Sequence, residues 1–86
     1  MFIYILKLSD NTYYTGITNN ITRRFKEHSN GRSISTRYKR PVILIYLREA
    51  NDRKTARRIE VKIKGMGAKR FLQLKSTILS GGQLPH

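Results

Sequence analysis

The 86-residue sequence contains no cysteine. Disulfides and cysteine-bound zinc are therefore excluded as sources of stability or chemistry, and the absence fits a cytosolic protein. Acids are almost as scarce. There are 5 in all: Asp10, Glu27, Glu49, Asp52 and Glu60. A two-metal centre needs several carboxylates converging on ions about 3.5–4 Å apart, and this chain is poorly supplied for one. No apolar run approaches the roughly 20 residues that cross a bilayer. The opening Met1–Leu8 is apolar, but no basic stretch precedes it and it is short for a signal peptide with its cleavage site, so it reads as a strand. The length allows one core, expected over residues 1–79, with a frayed tail over 80–86. A chain this short buries a modest share of its surface and has a thin stability margin.

What the sequence has in excess is positive charge: 18 Lys and Arg against 5 Asp and Glu, a net +13. Such an excess attracts polyanions, because each neutralised phosphate releases condensed counterions. The charge runs along the whole chain, which favours a folded basic surface over a disordered arm. No helix pairs a basic face with large exposed apolar groups as an interfacial anchor would. Nucleic acid is thus the expected partner, and no membrane is expected.

Residues 2–8 alternate, with Tyr4, Leu6 and Leu8 on one face and Ile3 and Ile5 on the other. Ser9-Asp10-Asn11 is turn chemistry, and Thr12 to Ile17 is again β-branched and aromatic, so residues 2–17 predict a hairpin. Asn19 or Asn20 caps a helix whose buried side begins with Ile21 and Phe25, and Asn30-Gly31 ends it. Residues 32–40 have no period and read as a basic loop. Pro41 opens a third strand, Val42 to Leu47. Asn51 or Asp52 caps a second helix with Ala56, Ile59, Ile63 and Met66 at helical spacing, and Gly65-Met66-Gly67 breaks or kinks it. A last helix, about 68–79, carries Phe71, Leu72, Leu74, Ile78 and Leu79. The order β-β-α-β-α-α predicts an α+β fold, a three-stranded sheet flanked by helices.

Several side chains invite chemistry, and each has a plainer role. Tyr4 and Tyr14 lie ten residues apart, Arg24 follows ten later and His28 four after that. Arg24 and His28 stand one turn apart on a helix face. The plainer roles are a solvated base for Arg24, a favourable partner of the helix C-terminus for His28, and amphipathic core residues for the tyrosines. Tyr13 points to the opposite face from Tyr14. Glu60 sits at the margin of the Ala56–Ile59–Ile63 stripe, where an acid reaches both core-lining groups and solvent. Equally, Lys64 at i+4 and Arg57 at i−3 offer it an ordinary surface ion pair.

Taken together, this ordered set resembles the GIY-YIG endonuclease superfamily, most closely its small stand-alone bacterial members. Phe2-Ile3-Tyr4 stands where the first signature falls and Tyr14-Thr15-Gly16 where the second falls. Residues 18–28 resemble the family's Arg-and-His helix, and residues 41–46 its third strand. Ala56, Glu60, Ile63 and Lys64 fall where stand-alone members place their Ala, metal-binding Glu and Ile-Lys pair. Phe2 replaces a glycine and Thr15 an isoleucine. Ile17 stands where some larger members carry a lysine, and Leu72-Gln73 where several carry an asparagine.

The resemblance implies hydrolysis of a phosphodiester to 3′-hydroxyl and 5′-phosphate ends. Tyr4 would accept the proton of the attacking water and Tyr14 would hold or tune that water. Arg24 would stabilise phosphate charge, His28 would pass the proton on or bind phosphate, and Glu60 would hold one Mg²⁺. Arg23, Lys26, Arg32, Arg37, Lys39, Arg40 and Lys64 would follow a nucleic-acid backbone without reading sequence. DNA is the expected substrate, with RNA not excluded, and selection is expected to rest on substrate shape or on a targeting protein partner. Two rivals remain: a binding module of the same fold without catalysis, and a basic protein that packs on structured RNA.

Overall fold

The structure is a computed structural model; it describes the backbone of residues 1–83 and the side chains of residues 1–75. Strands β1 (Phe2–Lys7) and β2 (Tyr13–Thr18) form the hairpin, followed by helix α1 (Ile21–Ser29). A 3-10 turn at Arg37–Lys39 precedes β3 (Ile43–Glu49). Helices α2 (Arg53–Met66) and α3 (Ala68–Gln83) close the chain. The three strands pair antiparallel in the order β2-β1-β3, so the fold is the α+β arrangement β-β-α-β-α-α.

Strand β1 is central and buried on both faces, as its near-continuous apolar run Phe2-Ile3-Tyr4-Ile5-Leu6 dictates. Ile3 and Ile5 pack against Ala56 and Ile63 of α2, with Phe71 and Leu72 of α3 at the margin. Tyr4, Leu6 and Leu8 turn the other way, toward Tyr14 and toward Ile21 and Phe25 of α1. Tyr13 joins the α2 face. One strand thus feeds two cores because its side chains alternate.

The helix limits have local causes. The Asn20 side chain accepts from the Arg23 N–H at 3.0 Å, and Asp52 accepts from the Thr55 N–H at 2.7 Å. Helix α2 stops where Gly67 takes φ 96°, a conformation open to glycine, and α3 begins at the next residue. Helix α3 continues to Gln83, so the expected tail from Ser80 overlaps it, while residues 84–86 lie outside the described part of the chain. The side chains of Ile78 and Leu79, expected on that helix, also lie outside it. Among the described residues, no helix is long and apolar enough to cross a membrane.

Candidate active site

The α1 face of the sheet holds a buried polar cluster. Hairpin register sets Tyr4 opposite Gly16. A Cβ on Gly16 would lie 2.6 Å from Tyr4 Oη, 2.8 Å from its Cζ and 3.1 Å from Tyr14 Cε2. Only a glycine there lets the two phenol rings approach, with centroids 6.2 Å apart. His28, in the last turn of α1, completes the group at 5.7 Å from the Tyr4 ring and 5.0 Å from the Tyr14 ring.

His28 is fully buried, with both ring nitrogens engaged. Nε2 lies 2.9 Å from Tyr4 Oη and Nδ1 lies 2.8 Å from Thr36 Oγ1. Burial, reinforced by the Arg24 charge, pulls its pKa down to about 4, so the ring is neutral at physiological pH. Thr36 is fully buried and Nδ1 is the only hydrogen-bond partner of its hydroxyl oxygen among the described residues. Tyr4 Oη, also buried, likewise has Nε2 as its one described partner, so one of these two hydroxyls donates to the neutral ring and the other accepts from it. With Thr36 donating to Nδ1, Nε2 carries the hydrogen and donates to Tyr4 Oη, which is the tautomer an ionised Tyr4 requires. Burial pushes Tyr4 up to about 12, and the approach of Arg24 opposes that rise. The resting phenol is thus neutral and hydrogen-bonded to His28.

Arg24 lies beside both phenols. Its Nη1 donates to Glu27 Oε1 at 2.8 Å and its Nη2 to Ser33 Oγ at 3.4 Å. The Glu27 hydrogen bond is the largest of the effects that raise its already high pKa. Glu27 is held below the usual carboxylate range, first by that same bond. Arg24 and Glu27 also line a polar cleft of about 360 Å³ with Arg23, Arg53 and Asn19. Three guanidiniums against one carboxylate make this cleft suited to a phosphate.

Tyr4, Tyr14, Arg24 and His28 are therefore brought together, while Glu60 stands apart from them. Its side chain keeps 14% of its exposure, and its carboxylate pairs with Lys64 Nζ at 3.1 Å. None of the described hydrogen bonds or ion pairs joins it to the phenols, Arg24 or His28. A link runs through Lys64, which lines a second cleft of about 550 Å³ together with Tyr14, Thr15 and Lys69. Among the described residues, no three His, Cys, Asp or Glu side chains cluster as a ready metal cage. One carboxylate suits a sparsely held Mg²⁺, which keeps water and takes substrate phosphate oxygens as ligands.

The basic residues divide as well. Arg23, Lys26 and Arg32 are exposed. Arg37 and Arg40 brace their own loop through Gly31 and Arg37 carbonyls. Lys39 pairs with Asp10 at 3.4 Å. Sequence reasoning overlooked Ser33 and Thr36, two hydroxyls inside a loop read only for its charge, and Arg53 and Lys69 at the cleft rims. Their one visible signal is the small-polar run Ser33-Ile34-Ser35-Thr36 interrupting a basic stretch.

A hairpin whose paired tyrosines face an arginine-and-histidine helix defines the class. The family model described as the GIY-YIG catalytic domain matches residues 1–72, and the chain belongs to that family. Within it, the relatives are small UPF0213 proteins. One from Desulfotalea psychrophila is 42% identical over 71 residues, covering 80% of this chain and 64% of that protein. Another, from Clostridium perfringens, is 39% identical over 77 residues, covering 88% of this chain and 83% of its own length. The chain thus spans just under two thirds of the Desulfotalea relative. A solution NMR structure of a UPF0213 protein from Bacillus halodurans superposes with a TM-score of 0.57 at 32% identity, over 95% of this chain and 86% of that one.

Proposed function

We propose that this chain is a Mg²⁺-dependent endonuclease hydrolysing phosphodiester bonds in DNA, with substrates chosen by shape or by a targeting partner protein. The observation that carries this reading is the Tyr4 phenol oxygen, 2.9 Å from a buried neutral His28 and flanked by Arg24, in a chain of net charge +13.

The phosphate enters the cleft at Arg24, whose guanidinium, fixed by Glu27 and Ser33, meets the charge that develops on the non-bridging oxygens. Tyr4 first loses its proton to solvent; water then attacks phosphorus, the bond to the 3′ oxygen breaks, and the Tyr4 phenolate takes the proton of the attacking water. The departing 3′ oxygen takes a proton from solvent. Tyr14, its ring tilted against Tyr4 and His28, orients the water. His28 acts as a neutral donor to the Tyr4 oxygen, holding it in place and stabilising negative charge on it. A Mg²⁺ held by Glu60 would supply charge stabilisation at the leaving oxygen. Lys64 must then release Glu60 and is free to meet phosphate.

The resting Tyr4 is almost wholly protonated at neutral pH. A phenolate base therefore predicts cleavage rising about tenfold per pH unit from neutrality upward, until the fold or the base saturates. A cleavage panel of duplex, flapped, four-way and single-stranded DNA, with RNA beside it and with Mg²⁺ or EDTA, tests the reading. Tyr4→Phe and Glu60→Ala should each fall by roughly 10²–10³-fold. Cutting in EDTA, or variants as active as the parent, would overturn it. The Lys64–Glu60 pair favours one other reading, a binding module in which Lys64 permanently replaces the metal. In that case Glu60→Ala leaves nucleic-acid affinity unchanged or improved and no substrate is cut.

A further inference from the structure

The segment joining α1 to β3 is inverted relative to ordinary burial. Its hydroxyls Ser33 and Thr36 point inward and are buried, while Ile34 and Tyr38 point outward at 83% and 88% exposure. Folding alone gives no return for exposing a large ring and a branched aliphatic chain so fully. The segment is nonetheless well anchored. Thr36 bonds His28 and Ser33 receives Arg24. The Lys39 carbonyl accepts from the Ser9 N–H at 2.9 Å. Tyr38 therefore stands on a braced turn two residues from Thr36, with its Cα within about 7 Å of that anchor to the candidate site. The Arg37 guanidinium lies 6.0 Å from the Tyr38 ring centroid, and Arg32, Lys39 and Arg40 are exposed around it.

We infer that Tyr38, with Ile34 beside it in the same loop, is a stacking site for an unpaired base of the nucleic acid that enters the Tyr4–Arg24 centre. The inference rests on the nuclease reading for its ligand and deepens it, because it names the substrate class: strands with unpaired bases next to the cut. A base within a duplex has both faces covered by its neighbours, so an outward ring finds a partner only where a base is free. The surrounding cations hold the flanking phosphates, as in other sequence-tolerant single-strand binders. An acidic protein surface is the competing occupant; the net charge of +13 favours a polyphosphate strand over it.

The test uses an oligothymidylate carrying one 2-aminopurine, mixed with the full chain in EDTA, beside a fully paired hairpin closed by a non-nucleotide linker. Stacking on Tyr38 should quench the fluorophore. Tyr38→Ala should lose the quench and bind the single strand about tenfold more weakly, with affinity for the hairpin little changed. Tyr38→Phe should retain both quench and affinity. The side chain is exposed and its removal leaves the fold intact. Tyr38→Ala with parental quench and affinity would overturn the inference. So would an equal loss on the hairpin, which would mark general charge or a protein-docking side chain. The outcomes separate from those of the nuclease reading. A parent that cuts nothing in Mg²⁺ yet shows the Tyr38-dependent quench defeats catalysis and keeps the stacking site. A parent that cuts, with quenching indifferent to Tyr38, removes the stacking site alone.

Discussion

The two faces of the sheet are built from one strand and do different work. On the α2 face, Ile3 and Ile5 meet Ala56 and Ile63 in an apolar cluster. On the α1 face, the same strand offers Tyr4 to a fully buried His28 and, behind it, a fully buried Thr36. The first arrangement removes apolar area from water and is indifferent to which atom touches which, provided volume is conserved. The second buries polar groups that contribute little net stability even when paired, about 1 kcal/mol each, and its use is to fix atoms. Stability and chemistry are thus separated across a single layer of backbone.

That separation is broken most strongly from the dry side. Ile5→Ala should cost about 2–5 kcal/mol, comparable with the whole margin of a chain this size, and a urea melt should show the midpoint collapsing. Arg24→Ala on the other face should melt close to the parent. Its cleavage should nonetheless fall by roughly 10²–10³-fold, measured under single-turnover conditions. If Arg24→Ala unfolded the chain and Ile5→Ala merely slowed cleavage, the division of labour would be wrong.

The next effect sharpens the comparison through pH. Folding holds His28 at about 4, below its usual 6.5, because burial and the Arg24 charge disfavour the imidazolium. The unfolded chain therefore binds more protons than the native one between those values. The stability this ring contributes is complete above about 6.5 and is lost as pH falls toward 4, by up to about 3 kcal/mol. The groups facing His28 are Tyr4, Tyr14, Arg24 and Thr36, and none of them is a carboxylate that would rescue the charge. Glu27 is the nearest acid to oppose the shift, and it is committed to Arg24. Denaturant melts at pH 7, 5.5 and 4.5 should show this slope in the parent. In His28→Asn the slope should be flattened.

Much of the dry face is legible from periodicity. Ile3, Ile5, Ala56 and Ile63 follow the strand and helix repeats and meet where those repeats point. On the other face, the alternation that separates Tyr14 from Tyr13 sets Tyr14 on the Tyr4 side, and the helical turn carries Arg24 and His28 together. What periodicity cannot reveal is the partner of a buried polar atom. Thr36 lies in a loop with no repeat, and only the fold turns its hydroxyl to the far side of His28. The inward and outward sides of residues 32–40 are invisible for the same reason. Glu60 illustrates the opposite limit. Its position at the stripe margin is readable, but whether Lys64 or a metal holds it depends on what is bound, which spacing does not encode.

Thr36 offers the finest test, because none of the described hydrogen bonds joins it to a phenol or to Arg24. Valine keeps its shape and removes the hydroxyl. Nδ1 of His28 then loses its hydrogen-bond partner inside a buried pocket, at a cost of about 1–3 kcal/mol. In either tautomer the ring keeps Tyr4 at Nε2 and finds no partner at Nδ1. Either way the Tyr4 oxygen is worse placed to carry negative charge, so cleavage by Thr36→Val should fall and its rise with pH should shift to higher pH. Thr36→Ser restores the donor and should restore both rate and profile. A merely structural hydroxyl predicts instead that Val lowers the melting midpoint and leaves the pH profile of the folded enzyme where it was. Since the two outcomes differ in the position of a titration rather than in the amount of folded protein, loss of stability in Thr36→Val cannot imitate the expected result.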